Sequence, residues 1–271
     1  MHPQIAAFPR LGGENTPPVR TLEGQKTLIS RTMHGFAYDE PRDEIVVMSP
    51  LAQAILFFRG GANGEEPPLR VIQGPHTQIQ GTPTGANSQV VVDPVNNEVY
   101  VPVVPDGVLV FDMTANGDVA PKRAIRGITG PVAVDPIHNV LIINTARALN
   151  IFDRTVSGDS PKPKGVITGP RTTLRRLDTI QVTSKGWIIA GGGDFTSGGG
   201  FVGAWNINDN GDVSPRWRIP IQQLTGYDPY SVAIDANHKE MLMAAAGGNR
   251  RLRPSRGIMN AVVAFSWPEI F

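Results

Sequence analysis

Apolar residues along this chain recur in short runs separated by turn residues, and no stretch has the spacing of a long helix. Pairs of mostly β-branched or apolar runs are joined by short turns rich in Asp, Pro and Asn, which is the pattern of a β-hairpin. The hairpins recur at Gly35 to Ser49, Val90 to Val103, Val132 to Asn144, Ile180 to Gly191 and Val232 to Ala245. The pattern therefore predicts a chain of repeated antiparallel hairpins.

A second phrase lies between these hairpins: an apolar strand, a Gly-and-acid turn, a proline, and a strand that carries Arg or Lys. Its copies begin at Ile5, Ile55, Val108, Leu149 and Val202. Joined together, the two phrases form a unit of four strands, A to D, that repeats about every 45–50 residues. A four-stranded unit that repeats at this spacing predicts the blades of a β-propeller. Strand A is nearly all apolar, as expected of a strand buried on both faces. Strand D carries alternating charges, which we interpret as protection of an outer edge.

The predicted fold class is all-β, a β-propeller of four-stranded antiparallel blades that forms a single domain over residues 1–271. Four complete blades run from His34 to about Ile221, and a fifth, from Ser231 to Ser266, lacks its strand D. Pro18 to Gly24 has the pattern of a strand D. The favoured prediction is that this segment docks on the fifth blade as its missing strand and so closes a ring of five blades. Ile5 to Phe8 is then a surplus strand C. The alternative is a six-bladed protein with a missing upstream part.

Composition excludes several classes of function. The 25 basic and 24 acidic residues balance, so there is no nucleic-acid signature. The absence of Cys excludes disulfides, thiolate metal sites, a Cys nucleophile and covalent haem attachment. No apolar run approaches the roughly 20 residues of a membrane span, and the first residues lack the pattern of a signal peptide. These observations do not select a compartment, and a periplasmic or extracellular location is compatible with them if the chain is a mature form.

The motifs HGFAYD, VVVDP and VAVDP, followed by NEVYV and VLVFD, resemble the NHL-type and related bacterial β-propeller repeats. The linker ANGDVAPKRAIRG is similar to that of other bacterial propellers. This resemblance extends over essentially the whole chain and implies the propeller fold. It does not select an activity, because the relatives include protein-binding modules, lactonases and lyases.

Loop charges are expected to be sorted between two faces. Loops A–B and C–D hold most of the acids, including Glu65, Asp118 and Asp212. The D–A and B–C loops form the other face, the D–A/B–C loop face, which is basic. Its basic residues are Lys26, Arg31, Arg147, Arg171, Arg175, Arg176, Arg250, Arg251, Arg253 and Arg256. One reading is that these charges only keep the protein soluble. The other is that a basic face steers an anionic partner.

Two long insertions interrupt the repeat on this face, and binding residues favour such loops. Gly191 to Gly200 is interpreted as a flexible connector, because no phosphate-binding motif follows it. Gly247 to Asn260 is rich in Arg, whose guanidinium group suits carboxylates and phosphates. The candidate partner-binding residues are Arg175, Arg176, Arg250, Arg251, Arg253 and Arg256. The leading hypothesis is a non-enzymatic scaffold, without a cofactor, that binds a protein or anionic partner through the D–A/B–C loop face.

The alternative hypothesis is a metal-dependent hydrolase or lactonase with its site at the mouth of the central channel. The candidate ligands are Asn144, Asp178 and Asp228, because hard divalent cations prefer such oxygen atoms. The arrangement loosely resembles gluconolactonase-like propellers, although His34 begins the first inner strand where that family has a Glu. Turn capping or channel lining explains the same residues without a metal. A third hypothesis, a subunit of a larger assembly, rests on the surplus strand at Ile5 to Phe8.

Overall fold

A computed structural model describes residues 4–13, 15–31, 35–80, 89–103, 107–175, 177–248 and 260–271. The chain divides into two compact units, Met1–Arg126 and Gly127–Phe271. Strands dominate both units. The helical segments in the described residues are one short α-helix and three single 3₁₀ turns. The fold is therefore all-β, as the alternating pattern predicts.

The first unit holds a hairpin and two blade sheets. The hairpin is β1 (Gln4–Ala7) and β2 (Arg20–Glu23). Blade 1 is β3 (Phe36–Asp39), β4 (Glu44–Ser49), β5 (Ala54–Arg59) and β6 (Arg70–Gln73). Blade 2 is β7 (Val91–Asp93), β8 (Glu98–Val103), β9 (Gly107–Asp112) and β10 (Arg123–Arg126). The 3₁₀ turns Gln25–Thr27 and Pro75–Thr77 follow β2 and β6.

The second unit holds three blade sheets. Blade 3 is β11 (Val132–Asp135), β12 (Val140–Asn144), β13 (Ala148–Asp153) and β15 (Gly165–Thr168), with β14 (Gly158–Asp159) in the loop before β15. Blade 4 is β16 (Leu174–Arg175), β17 (Gln181–Val182), β18 (Trp187–Gly192), β19 (Phe201–Asn206) and β20 (Trp217–Ile219), followed by α1 (Ile221–Thr225). Blade 5 is β21 (Tyr227–Asp235), β22 (Glu240–Gly248) and β23 (Asn260–Ser266), and a 3₁₀ turn, Pro268–Ile270, ends the chain.

These five antiparallel sheets are the blades of a β-propeller, so the favoured prediction of five blades is confirmed. Within the described residues the last sheet has three strands, β21 to β23, which are the predicted strands A to C. The surplus strand C is β1, which pairs with β2 so that Ile5 lies opposite Leu22. The closure of the last blade by Pro18 to Gly24, and the description of the chain as one domain, stay predictions.

Each unit is held together by apolar side chains between neighbouring sheets. In the first unit, the hairpin packs on blade 1 through Leu22, and blades 1 and 2 meet around Phe57 and Phe111. In the second unit, blades 3 and 4 share a core that includes Trp205, and blades 4 and 5 share one that includes Met243. Alternate residues of each central strand therefore face opposite neighbours, which is why these strands are apolar throughout.

Strand A of most blades ends on a carboxylate that caps the next turn. Asp93 accepts hydrogen bonds from the backbone N–H (3.1 Å) and side-chain amide (2.8 Å) of Asn96. Asp135 accepts them from the backbone N–H of Ile137 (2.9 Å) and from Nδ1 of His138 (2.5 Å). Asp235 bonds His238 in the same way. These acids hold the A–B turns, and their side-chain oxygens are occupied by the turn itself.

The recurring Asn-Gly-acid phrase links one D strand to the C–D loop of the following blade. Gly117 N–H donates to Val71 O (2.7 Å), and Gln73 N–H donates to Gly117 O (3.1 Å). Asn116 Oδ1 accepts from Val71 N–H (3.0 Å), and Asp118 Oδ1 accepts from His76 N–H (2.8 Å). The same four bonds recur where residues 63–65 meet β2, and where residues 210–212 meet β15. We call this arrangement the interblade latch.

The interblade latch changes the predicted distribution of charge. Glu65, Asp118 and Asp212 belong to C–D loops and were therefore expected on the face opposite the D–A/B–C loop face. They instead accept hydrogen bonds from the first residues of D–A loops. The reason is that the C–D loop runs along the preceding D strand rather than ending below it. The predicted separation of acids from bases is wrong at these three residues.

The charges of strand D were predicted to protect an exposed outer edge. In blades 1 and 2, the arginine that begins strand D instead binds a carboxylate of strand B. Arg123 makes two hydrogen bonds to Glu98, of 2.6 and 2.8 Å, and the Glu98 side chain is only 4% exposed. Tyr100 donates a third bond to the same carboxylate, at 2.8 Å. Arg70 and Glu44 form the same bidentate pair in blade 1. These side chains therefore act as buried links between strands B and D.

Burial on its own would raise the pKa of Glu98, but the hydrogen bonds from Arg123 and Tyr100 outweigh it and lower the pKa to about 2, from 4.5. A depressed pKa gives stability that is complete above about 4.5 and is lost as the pH falls towards 2. We expect this carboxylate to contribute at most about 3 kcal/mol to that loss. Denaturant unfolding between about pH 5 and pH 2 measures this loss of stability. The Glu98→Gln variant should show a shallower decline, and an equal decline in both proteins would contradict the assignment.

Candidate functional site

Of the six candidate arginines, the structure describes Arg175. This residue was predicted in a loop and lies in the two-residue strand β16, paired with β18. Its side chain is exposed, and its Nε donates to Gly193 O at 3.2 Å, while NH2 lies 3.7 Å from Asp194 Oδ1. Arg176, Arg250, Arg251, Arg253 and Arg256 lie outside the described residues. Arg175 is therefore partly engaged by the glycine-rich loop that follows β18.

The glycine-rich loop is held in place by side chains, unlike the flexible connector that its composition suggested. Gln222, in α1, is almost completely buried; its Oε1 accepts from Gly200 N–H (2.5 Å) and its Nε2 donates to Phe195 O (2.9 Å). Asp194 accepts from the backbone N–H and the hydroxyl of Thr196, and these bonds lower the pKa of its carboxyl. One buried amide thus fixes both ends of the loop. The sequence does not single out this residue, because Gln223 follows it directly.

Two further arginines of the D–A/B–C loop face lie in the second unit. Arg147 lies in the B–C loop of blade 3, and its carbonyl accepts from the Thr168 hydroxyl at 3.2 Å. Arg171 lies three residues after Thr168, where its backbone N–H bonds Asp212. Both side chains are exposed, and within the described part of the chain neither guanidinium group has a hydrogen-bond or ion-pair partner. They contrast with Arg70 and Arg123, whose guanidinium groups are bound by buried carboxylates.

Asn144 is the most unusual of the candidate metal ligands. It is completely buried, and neither Oδ1 nor Nδ2 has a hydrogen-bond partner among the described residues. It lies on the same side of β12 as Val140 and Ile142, which belong to the core between blades 3 and 4. The matching positions, four residues after the start of strand B, are Met48, Pro102, Gly191 and Ala244. A polar residue at this position is therefore a departure from the repeat.

The other two candidate ligands lie in different surroundings. Asp178 is exposed, and its backbone N–H donates to Tyr230 O at 2.9 Å. Asp228 is partly buried, and its Oδ1 accepts a hydrogen bond from Gln222 Nε2. His34 lies outside the described residues. Among the residues that the structure describes, no three His, Cys, Asp or Glu side chains are grouped so as to hold a metal ion.

The unpartnered amide of Asn144 has a consequence for stability. A buried polar group without a hydrogen bond costs about 1–3 kcal/mol, so Asn144→Leu, which is similar in size, should raise the free energy of unfolding by about that amount. Chemical denaturation measures the change. Asn150→Leu, on the neighbouring strand β13, is the control. Because Asn150 Nδ2 donates to Ile143 O (3.2 Å), this substitution should not raise the free energy of unfolding. A marked loss of stability in Asn144→Leu would instead show that this amide has a bound partner.

Comparison with known proteins supports the fold alone. No protein-family model and no curated protein matches the chain. A solved structure of hydrazine synthase from Kuenenia stuttgartiensis is similar, with a TM-score of 0.60 and 11% sequence identity. The similarity covers 87% of this chain and 63% of the hydrazine synthase chain. Within the described residues, no helix has the length and apolar character needed to cross a membrane. The chain thus has a β-propeller fold, and its function has to be argued from its own residues.

Proposed function

We propose that this protein is a non-enzymatic β-propeller scaffold of the NHL-like type that binds an acidic segment of a partner protein. The binding surface is the D–A/B–C loop face of the second unit, at Arg147, Arg171 and Arg175. The observation that carries the proposal is the free guanidinium group of both Arg147 and Arg171 in the described residues. A guanidinium group that the fold does not use is available for a carboxylate.

The remaining polar residues support a scaffold because the fold already uses them. The Asp residues of the A–B turns cap those turns, and the acids of the C–D loops form the interblade latch. Glu44 and Glu98 are occupied by arginines. These carboxylates are therefore not available for acid–base chemistry. Exposed arginines on rigid blades are suited to recognition by charge, which acts mainly on the rate of association and on specificity.

The test is the affinity for a fluorescent oligoglutamate peptide, with an oligoglutamine peptide as the neutral probe. The triple variant Arg147→Glu, Arg171→Glu, Arg175→Glu should bind oligoglutamate about tenfold more weakly or worse, since each exposed pair contributes up to about 1 kcal/mol. Binding by the natural sequence should weaken between about 50 and 300 mM salt. Arg216→Glu is the control, because Arg216 is exposed in the same unit but lies beside Trp217, before strand D of blade 4. Equal binding by the triple variant at low salt would overturn the proposal.

The buried, unpartnered amide of Asn144 supports a second candidate function, a metal-dependent hydrolase or lactonase. A buried amide oxygen without a partner among the described residues could supply one of the several oxygen ligands that a hard cation requires. Calorimetric titration with Ca²⁺ and Zn²⁺ tests it. Heat of binding that Asn144→Leu abolishes would favour this function, and no binding of either ion would exclude it.

A further inference from the structure

The first unit contains a cleft of about 410 Å³ between the B–C turn of blade 1 and the segment that follows β6. Glutamine dominates it: four of the ten glutamines in the chain lie along this one cleft. The lining residues are Ala52, Gln53, Gln73, Gly74, Pro75, Gln78, Ile79 and Gln80. Its size is within the range of roughly 300–1,000 Å³ that is usual for small-molecule sites.

The propeller repeat accounts for part of this lining but not for the glutamines. Gly74 and the neighbouring Thr77 recur after β2 and β15, where the same turn has a buried Thr whose hydroxyl donates to the Gly carbonyl. Gln73 is replaced by Glu23, Arg126 and Thr168 in the matching strands. Gln78 corresponds to Leu28 and Thr173, and Gln80 to Ser30 and Arg175. The glutamines are therefore specific to this cleft and are not needed for the turn.

The amides are oriented but retain hydrogen-bonding capacity. Gln73 Nε2 donates to Ala52 O at 2.7 Å, which fixes its side chain and leaves Oε1 as an acceptor. Gln78 Oε1 accepts from Arg126 at 2.6 Å, which leaves Nε2 as a donor. Gln53 and Gln80 are exposed, and neither amide has a partner among the described residues. Among the described residues, the lining of the cleft thus presents donors and acceptors and no carboxylate, Lys or Arg, and Arg126 contacts it through Gln78.

We propose that this cleft binds a neutral carbohydrate. A sugar hydroxyl donates and accepts at the same atom, which matches neighbouring amide groups that offer both functions. The ring of Pro75 gives an apolar contact for the C–H face of a sugar. A peptide is less suited, because the outer edge of β6 is already taken by Gly117 and cannot add a strand. The buried Ile79 also leaves no apolar pocket to anchor a peptide side chain.

The probes are cellohexaose, maltohexaose and mannohexaose, titrated into the full chain by calorimetry and by amide NMR. We expect one of them to bind, with little effect of salt because the ligand is neutral, which distinguishes this site from the arginine surface proposed above. The double variant Gln53→Asn, Gln80→Ala should weaken that binding about tenfold, through the loss of two hydrogen bonds. Asn is chosen at position 53 because it tolerates the left-handed backbone, with φ 52°.

Gln223→Ala, at an exposed glutamine of α1 in the second unit, is the matched control and should bind as the natural sequence does. The triple arginine variant should also retain sugar binding, so that failure of one proposal is separable from failure of the other. The carbohydrate assignment is overturned if none of the three oligosaccharides binds at millimolar concentration. It is equally overturned if binding is unchanged in the double variant.

Discussion

Arg123→Met is expected to lower the free energy of unfolding by about 3 kcal/mol, because it removes the bidentate cation from the buried carboxylate of Glu98 and leaves only Lys122 as a counter-charge. Glu98 has a side-chain exposure of 4%, and Arg123 supplies two of its hydrogen bonds. Lys122, at 3.2 Å, and Tyr100 cannot replace the bidentate guanidinium. Guanidinium chloride unfolding near neutral pH measures the loss.

Arg59→Met is the matched control for this prediction. Arg59 also makes a bidentate pair, with Glu66 at 2.7 and 2.8 Å, but its side chain is 57% exposed. The loss of this pair should cost far less, because both charges lie in solvent, which screens their interaction. Part of the cost of Arg123→Met should also disappear in the double variant with Glu98→Gln, since no buried charge then remains. Similar losses for Arg123→Met and Arg59→Met would refute the view that burial decides the effect.

Gly74→Ala is expected to destabilise the first unit by about 3 kcal/mol. Gly74 has φ 138° and ψ 171°, a conformation that is essentially restricted to glycine. A Cβ atom there would lie 2.3 Å from the carboxylate carbon of Asp118. The substitution would displace that carboxylate from the His76 N–H, so strain and a lost charge-assisted hydrogen bond add together. Thermal or denaturant unfolding measures the effect.

Gly117→Ala separates the two causes within the same interblade latch. Gly117 has φ 81°, but an added Cβ would meet nothing within 4 Å. Only the strain of a positive φ in a residue other than glycine remains, so the free energy of unfolding should fall by about 1–2 kcal/mol. If the two variants lose the same stability, close approach to Asp118 is not what requires glycine at position 74.

Much of the fold was predictable because it depends on local pattern. Alternating apolar residues and Asp-Pro turns identify the hairpins, and their repetition identifies the blades. Only part of the interblade latch was predictable. The Asn-Gly-acid phrase indicates a turn, but its hydrogen bonds to Val71 and His76 join residues about 45 positions apart. The prediction that the strand D arginines protect an outer edge was wrong for the same reason. The partner Glu98 lies 25 residues from Arg123, in a strand that reaches it only after folding.

The candidate site was less predictable, because the repeat hides the exceptions. Gln222 is adjacent to a second glutamine and Asn144 ends an apolar run, and a sequence pattern does not say whether either amide is bonded. Gln222 fixes the glycine-rich loop, whereas Asn144 is buried between two blades without a partner. The cleft of four glutamines also escaped notice, since Gln53 is 20 residues from Gln73 and only the fold brings the two segments together.

The sequence alone thus determined that the chain is a β-propeller and which segments are strands, because strand and turn preferences act over a few residues. The tertiary structure decided which polar residues are used by the fold and which are free, because that depends on contacts between different blades. Arg70 and Arg123 were found to be buried ion pairs, whereas the guanidinium groups of Arg147 and Arg171 have no partner among the described residues. Desolvation makes the first kind of arginine a determinant of stability, and exposure makes the second kind available to a partner.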